Sequence, residues 1–257
     1  MLLAERHRKI VGIVNERMSI RVSELSQLFH VTEETIRRDL EKLEKEHLLK
    51  RSHGGAVSIE PDQVETSYEE REILHAIDKK AIAKEAIKLI KPMDKIVLDA
   101  STTAWYMAKE LPDMPLTVIT NSIKVAMELG KKEQMKVIST GGELLPKSLS
   151  YVGHLAERSL DMYYVNKAFI SCKGVEIERG LSESNEWQAL LKKKMMDIAD
   201  ETILLVDHTK FYNRAFVSFA PINKVNQIIT DNRVDKTIVE SIKEKNIKVK
   251  ATIAEEI

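Results

Sequence analysis

VTEETIRRDLEKLEKEHLLKRSHGGAV, residues 31–57, sets two adjacent arginines inside an amphipathic run and ends on a double glycine before its last two residues. Ile36, Leu40 and Leu43 recur at helical spacing as one narrow apolar stripe, while Thr35, Arg38 and Lys42 project from another face. Thr32 stands before the run as an N-cap, and Glu33 and Glu34 fill the first turn, where the helix dipole favours negative charge. Beyond the helix, residues 48–57 read as strand, glycine turn and strand. That hairpin carries Lys50, Arg51 and His53, with no acidic residue between Glu46 and Glu60.

Working outward, Leu3, Ile10, Val11 and Val14 predict a first amphipathic helix ending near Arg17. Ser23 is placed to cap a second helix, with Val22 before it and Leu25, Leu28 and Phe29 as its buried face. His30 and Val31 form the tight turn into the third helix. An isolated Arg-Arg pair on a helix is most often a solvated face. Three helices with a tight turn before the third, followed by a basic hairpin, instead make the winged helix-turn-helix arrangement, whose third helix offers its N-terminal half to base edges. The residues predicted to face DNA are Ser23, Thr32, Thr35, Arg37, Arg38, Lys42, Lys50, Arg51 and His53.

Bulk charge does not announce that role. The formal net charge is +0, and residues 1–60 carry eleven Lys/Arg against ten Asp/Glu, so a nucleic-acid reading rests on where charges sit. With 257 residues, 43% of them hydrophobic, the chain has material for one large or two ordinary domains and no signature of long disorder. Cys172 is the only cysteine, which excludes an intramolecular disulfide and suits a reducing compartment. No run approaches the roughly 20 apolar residues of a membrane span, and the N-terminus lacks a signal peptide's apolar stretch, so a cytoplasmic protein is expected. The seven histidines are scattered without metal-ligand spacing, and no metal or cofactor is expected.

Residues 59–76 are polar and acidic and read as a linker. From residue 95, apolar runs at 95–99, 116–120, 135–139, 167–171, 202–206, 226–230 and 248–253 alternate with amphipathic stretches. That pattern predicts an α/β domain with a mostly parallel sheet over 77–257, following a winged helix-turn-helix domain over 1–58. Ligands of such sheets bind beyond the carboxyl ends of the strands. Three strand ends are unusually polar. Asp99, Ser101, Thr102 and Thr103 join a strand to a helix start, whose free amides and dipole suit a phosphate. Asn121 and Ser122 repeat the pattern one strand later, and Gly141 and Gly142 let backbone approach a ligand without a Cβ. Any one of these sites is most simply a helix cap; three in succession point to a shared pocket. Lys210 is a candidate cation for it. Trp105, Trp187, Met195 and Met196 read as packing residues.

Residues 22–56, VSELSQLFHVTEETIRRDLEKLEKEHLLKRSHGGA, resemble the winged helix-turn-helix signature of the DeoR family of bacterial transcriptional regulators. LDASTTAWYMAKEL, VITNS, TGGEL, AFISCKGVEIERGL and LLVDHTKF extend the likeness over almost the whole chain. The resemblance implies Thr32, Thr35, Arg37 and Arg38 near DNA and Lys50, Arg51 and His53 in the wing. It implies an effector-sensing domain similar to ribose-5-phosphate isomerase, with Asp99, Ser101, Thr102, Thr103, Asn121, Ser122, Gly141, Gly142 and Lys210 around a sugar phosphate. The sequence departs from the family pattern at His47 and Ser101, where glycine is common, and at His208 and Thr209, where small residues are common. The expected protein is a repressor of a sugar-catabolic operon, released from operator DNA by a phosphorylated sugar. It is expected to act as a dimer or tetramer held through the C-terminal domain. Repression is carried by the resemblance alone. The alternative is a sugar-phosphate isomerase using Asp99, Glu183 or Glu186 as base.

Overall fold

Gly54 and Gly55, side by side, are glycines for different reasons. Gly54 turns the hairpin at φ +81°, a left-handed backbone that disfavours a side chain. A Cβ on Gly55 would stand 2.2 Å from the carbonyl oxygen of Ile20, so only glycine lets the returning strand lie against its neighbour. The computed structural model describes residues 3–17, 19–46, 48–52, 54–57 and 66–253. His47 and His53 fall outside the described residues, as do residue 58 and 59–65 of the expected linker. The chain packs as two compact units, Met1–Val64 and Glu65–Ile257.

The first unit runs α1 (Leu3–Arg17), β1 (Ser19–Arg21), α2 (Val22–Phe29), α3 (Glu33–Lys45), β2 (Lys50–Ser52) and β3 (Gly55–Val57). Strand β3 lies between β1 and β2, antiparallel to both. Strand β1 has three residues, too short to announce itself by alternation. Ile10, Val14, Leu25, Ile36, Leu40 and Leu43 close the core of this unit. Two sequence expectations are corrected here. Arg21, not Ser23, is the N-cap of α2, because Val22 already begins the helix; Ser23 is exposed within its first turn. Leu28 is exposed, since the stripe through Val22 and Leu25 carries the packing. His30 makes the turn by adopting φ +52° and ψ +44°, a conformation His tolerates better than a branched residue. Thr32 caps α3 as expected, its hydroxyl accepting from the Thr35 amide at 3.3 Å.

Asp39, a charged residue on the apolar side of α3, was not singled out by its sequence context. Its carboxylate accepts from Arg6 Nε at 2.6 Å and lies 3.0 Å from His7 Nε2, tying α3 to α1. Burial opposes ionisation of this carboxyl, but the Arg6 and His7 contacts outweigh it and hold its pKa below the ordinary value.

The second unit contains α4 (Tyr68–Ile73), α5 (Ala76–Ile87), β4 (Lys95–Leu98), α6 (Thr102–Glu110), β5 (Leu116–Thr120), α7 (Ile123–Leu129) and β6 (Met135–Ser139). It continues with β7 (Glu143–Leu145), β8 (Ser150–Val152), α8 (His154–Leu160), β9 (Val165–Ile170), β10 (Gly174–Glu176), β11 (Gly180–Glu183) and α9 (Glu186–Asp197). It ends with β12 (Ala199–Leu205), β13 (Val217–Ala220), β14 (Gln227–Asp231), α10 (Lys236–Glu244) and β15 (Lys248–Thr252). The seven expected strands form one sheet in the order β15-β14-β12-β9-β4-β5-β6, every pairing parallel. Alternate residues feed opposite cores. Ile96, Leu98, Val118 and Phe169 pack with residues of α5, α6 and α7, whereas Val97, Ile119, Ala168 and Ile170 pack with those of α8, α9 and α10.

From β4 the chain steps outward through β5 and β6, then returns to β9 and steps the other way. The neighbours β4 and β9 therefore flank a topological switch point, where their carboxyl ends open a crevice. Two small antiparallel sheets, β7-β8 and β10-β11-β13, rim the large one; their three- and four-residue strands leave no periodic signal. Helix α9 begins at Glu186 rather than at 184, because Ser182 and Glu183 are still paired in β11. Within the stretch read as linker, α4 is a formed helix with Tyr68 fully buried. Its signal was present in the sequence: Ser67 and Glu70 make a reciprocal capping box.

The Asp39 cluster yields the first prediction. Asp39→Ala strands the Arg6 guanidinium and the His7 ring at the α1–α3 contact and is expected to destabilise the first unit by about 2–3 kcal/mol. Because the folded pKa is depressed, the wild-type contribution is full above the unfolded carboxyl pKa of about 3.9 and is lost as pH falls through the folded value. Urea unfolding followed by circular dichroism, at neutral pH and in acid, reads both effects.

Candidate functional site

On the first unit, α3 presents an exposed polar face. Arg37 pairs with Glu33 at 2.7 Å and Arg38 with Glu34 at 3.4 Å, each one helical turn back. The Arg38 side chain is 79% exposed, so its glutamate neither buries nor immobilises it. Thr32 and Thr35 share a hydroxyl contact of 2.9 Å at the helix start. Lys42, Lys50 and Arg51 are exposed, and the Arg51 amide is held by Glu44 Oε1 at 2.8 Å, which anchors the wing to α3. Thr32, Thr35, Arg37, Arg38 and Lys42 are thus carried on one helix, with Lys50 and Arg51 on the adjoining strand.

On the second unit, the carboxyl ends of the strands share one device. Asp99 Oδ1 accepts from the Ser101 amide at 3.0 Å, and Thr120 Oγ1 accepts from the Ser122 amide at 3.0 Å. Asp207 Oδ1 does the same for Thr209 at 3.0 Å, and Asp231 Oδ1 for Arg233 at 2.9 Å. In each case a polar side chain at the strand end turns the chain two residues later. Ser101 and Ser122 then cap α6 and α7, accepting from Ala104 at 3.1 Å and Val125 at 3.2 Å. Their hydroxyls are therefore committed to the helices. The helix-start amides of Thr102 and Thr103 have no intrahelical acceptor.

Asp99 has no exposed surface. Its second oxygen accepts from the Ser171 amide at 2.8 Å and lies 3.3 Å from Lys192 Nζ. Lys192, from α9, also donates to Glu183 and to the Ser171 carbonyl at 2.8 Å. Burial on its own would depress the Lys192 pKa, but Glu183 and Asp99 outweigh it and hold the ammonium above its ordinary value. Asp99 thus acts from beneath the loop, joining the ends of β4 and β9. With Asp99 and Glu183 both tied to Lys192, neither is a free base; Glu186 is exposed on α9.

Asn121 and Ser122 are buried and stitched to β8: Asn121 Nδ2 donates to the Tyr151 carbonyl at 3.0 Å, while Asn121 Oδ1 is buried without a partner. Gln188 reaches Ser148 at 3.1 Å and Ser150 at 2.7 Å, binding α9 to the same corner. The two glycines differ. Gly141, at φ +62°, faces open space, whereas a Cβ on Gly142 would stand 2.5 Å from the Val152 carbonyl oxygen. Gly142 therefore serves chain packing, and only Gly141 leaves room for a ligand.

Lys210 is half-buried beside Asp207, whose pKa falls to about 2 because Lys210, the Thr209 hydroxyl, Lys79 and His75 together outweigh its burial. Lys210 is not the sole cation there. Lys79 is 6% exposed, and burial pulls its pKa down to about 7 in the field of Asp207, Lys210, Arg71 and Lys173. Sequence reading missed Lys79 and Lys192 because a lysine on an otherwise apolar helix face looks like any solvated charge. Trp105 is a core residue as expected; Trp187 is not, lying 38% exposed with its ring edge-on to His154 at 5.1 Å. Asp78, His208 and Asp231 bring ligand atoms within 4.8 Å, a cluster that sequence spacing hides. Arg233 already donates to both carboxylates, so this is an ion-pair network.

A winged helix-turn-helix unit joined to an α/β unit with polar strand ends at its switch point defines a DNA-binding regulator with a sensor domain. The chain matches the DeoR-like helix-turn-helix domain over residues 6–62 and the DeoR C terminal sensor domain over 74–232. It is 61% identical to the uncharacterised HTH-type transcriptional regulator YulB of Bacillus subtilis, covering 98% of this chain and 97% of that one. It is 38% identical to an L-fucose operon activator of Haemophilus influenzae, over 88% and 91% of the two chains. It is 30% identical to a putative aga operon transcriptional repressor of Escherichia coli O157:H7, over 96% and 93%. Among solved structures, ribose 5-phosphate isomerase A from Methanocaldococcus jannaschii aligns with a TM-score of 0.39 at 24% identity, over 52% of this chain and 53% of that one. The chain belongs to the DeoR family of transcriptional regulators and, like its relatives, is a regulator rather than an enzyme. No helix among the described residues is long and apolar enough to cross a membrane.

The buried triad gives the second prediction. Lys192→Met removes the charge shared by Asp99 and Glu183 and leaves two carboxylates in a dry site, a loss of about 3–5 kcal/mol in the second unit. Asp99→Asn together with Glu183→Gln and Lys192→Met should recover part of it, measured as urea midpoints of the full chain.

Proposed function

We propose that this regulator binds operator DNA through α3 and its wing and represses a sugar-catabolic operon, and that a phosphorylated sugar at the switch point releases it. The carrying observation is the loop from Asp99 to Thr103. A buried carboxylate fixes its shape, its helix-start amides have no intrahelical acceptor, and Lys210 lies beside Asp207 at the end of β12. Such a cradle suits a phosphate dianion, and Gly141 and Asn121 leave open space and an unpaired acceptor for sugar hydroxyls. The sign of regulation rests on family likeness, since relatives are named both as activator and as putative repressor. A chain of net charge +0 makes few phosphate contacts per winged unit, so useful operator affinity calls for a dimer or tetramer on repeated half-sites. Action on DNA fits a cytoplasmic protein.

At the DNA end, Arg38→Ala should cost about 1–3 kcal/mol of operator affinity and relax base preference, whereas loss of Lys50 or Arg51 should chiefly flatten the salt dependence. Fluorescence anisotropy on operator and scrambled duplexes separates the two; an Arg38→Ala protein with unchanged preference refutes its role in base reading. At the sensor end, reversing a 99:1 preference takes about 5.5 kcal/mol of differential affinity, which a few charged hydrogen bonds at about 1.5–3 kcal/mol each can supply. Thr102→Val, which removes the hydroxyl beside the helix-start amides, and Lys210→Ala should therefore bind operator normally and no longer release it in phosphosugar. Release at wild-type phosphosugar concentrations removes either residue from the switch.

A further inference from the structure

Helix α9 has two unlike faces. Ala189, Leu191, Met195 and Met196 pack into the core, and Lys192 serves the buried carboxylates of Asp99 and Glu183. The other side is exposed at Glu186, Trp187, Leu190, Lys193 and Asp197, positions that recur every three or four residues along one side of the helix. Trp187 and Leu190, the latter 40% exposed, stand one turn apart as its apolar centre. The Trp187 ring rests edge-on against His154, and Leu155, the next residue of α8, is 73% exposed.

The charges on this face are ordered. Glu186 lies before the apolar pair and Lys193 after it, while the neighbouring Lys194 pairs with Asp161 in the field of Asp197. Seven residues separate Glu186 from Lys193, about 10.5 Å along the axis, so the two cannot pair with each other. Neither forms an ion pair among the described residues. The face is therefore acidic at one end, basic at the other and apolar between.

We propose that this face of α9 is a two-fold interface between copies of the chain, with the two α9 helices antiparallel. In a two-fold contact residue i meets j while j meets i. With Leu190 near the axis, Glu186 of each copy meets the partner's Lys193, and Trp187 lies against the aliphatic stem of the partner's Lys194. Parallel helices would instead set glutamate against glutamate and lysine against lysine. Opposite charges around an apolar centre thus make the helix its own complement in the antiparallel crossing alone. A tryptophan beside a leucine, rimmed by charge, is also the composition of an interface centre. The inference rests on the reading that linked winged units bind repeated half-sites, and it names the surface that joins them.

The test is sedimentation velocity of the full chain over a dilution series, with circular dichroism confirming the fold of each variant. Wild type should associate, and Leu190→Asp should halve the mass of the assembly. Glu186→Lys and Lys193→Glu each set like charges at both symmetry-related pairs, and each should weaken association at least about tenfold (about 1.4 kcal/mol). Joining both reversals in one chain, or mixing the two single variants, restores opposite charges and should restore association; a merely structural role for either residue gives no such recovery. A wild-type assembly that Leu190→Asp and both single reversals leave unchanged overturns the α9 interface and leaves the half-site reading standing. Weakening by the single reversals without recovery in the double or the mixture also overturns the interface. A wild type that stays monomeric throughout overturns both.

Discussion

The Asp99 carboxylate is the contact on which the sensor unit's site depends. It sits where β4 and β9 part company, and its two oxygens take the amide that opens the α6 loop and the amide that follows β9. Lys192 neutralises it from α9 while also serving Glu183 and the Ser171 carbonyl. One buried charge cluster therefore fixes three chain segments that would otherwise diverge. A buried ion cluster of this kind adds little net stability over an apolar replacement, but breaking it is costly. What it supplies is geometry: the loop that follows β4 is held in one shape against the end of β9.

The same economy recurs along the sheet edge. Asp99, Thr120, Asp207 and Asp231 each bend the chain by accepting an amide two residues on. Their repetition brings loops of β4, β5, β12 and β14 to one end of the sheet. Lys79, buried there, sits in low-dielectric surroundings that make its charge expensive. On the proposed reading, an anion bound beside that charge gains more free energy than it would on a solvated surface.

Much of this was legible from residues alone. The seven parallel strands showed because each reads as a short apolar run between helical patterns, the central ones buried on both faces. The α3 stripe of Ile36, Leu40 and Leu43 and the Thr32 cap were equally plain. The polar strand ends announced themselves by repetition. What stayed hidden depends on distance in the chain. Asp39 meets Arg6 and His7, Lys192 meets Asp99, and Asp78 meets Arg233; in none does local spacing name the partner. Gly142 looked like an approach for ligand and proved to be an approach for Val152. Helix α4 was passed over because its apolar content is slight, although Ser67 and Glu70 spelled its start.

Hydrogen exchange of the intact protein, read by mass spectrometry with and without a phosphorylated sugar that releases operator DNA, tests the central claim most directly. If the switch point is the effector site, exchange slows across residues 100–104 and 171–173, where Asp99 holds the loop ends, while the distant edge at α10 and β15 is unchanged. Slowing confined to that edge, or to residues 193–202 at the opposite end of the sheet, with 100–104 unaffected, would contradict it.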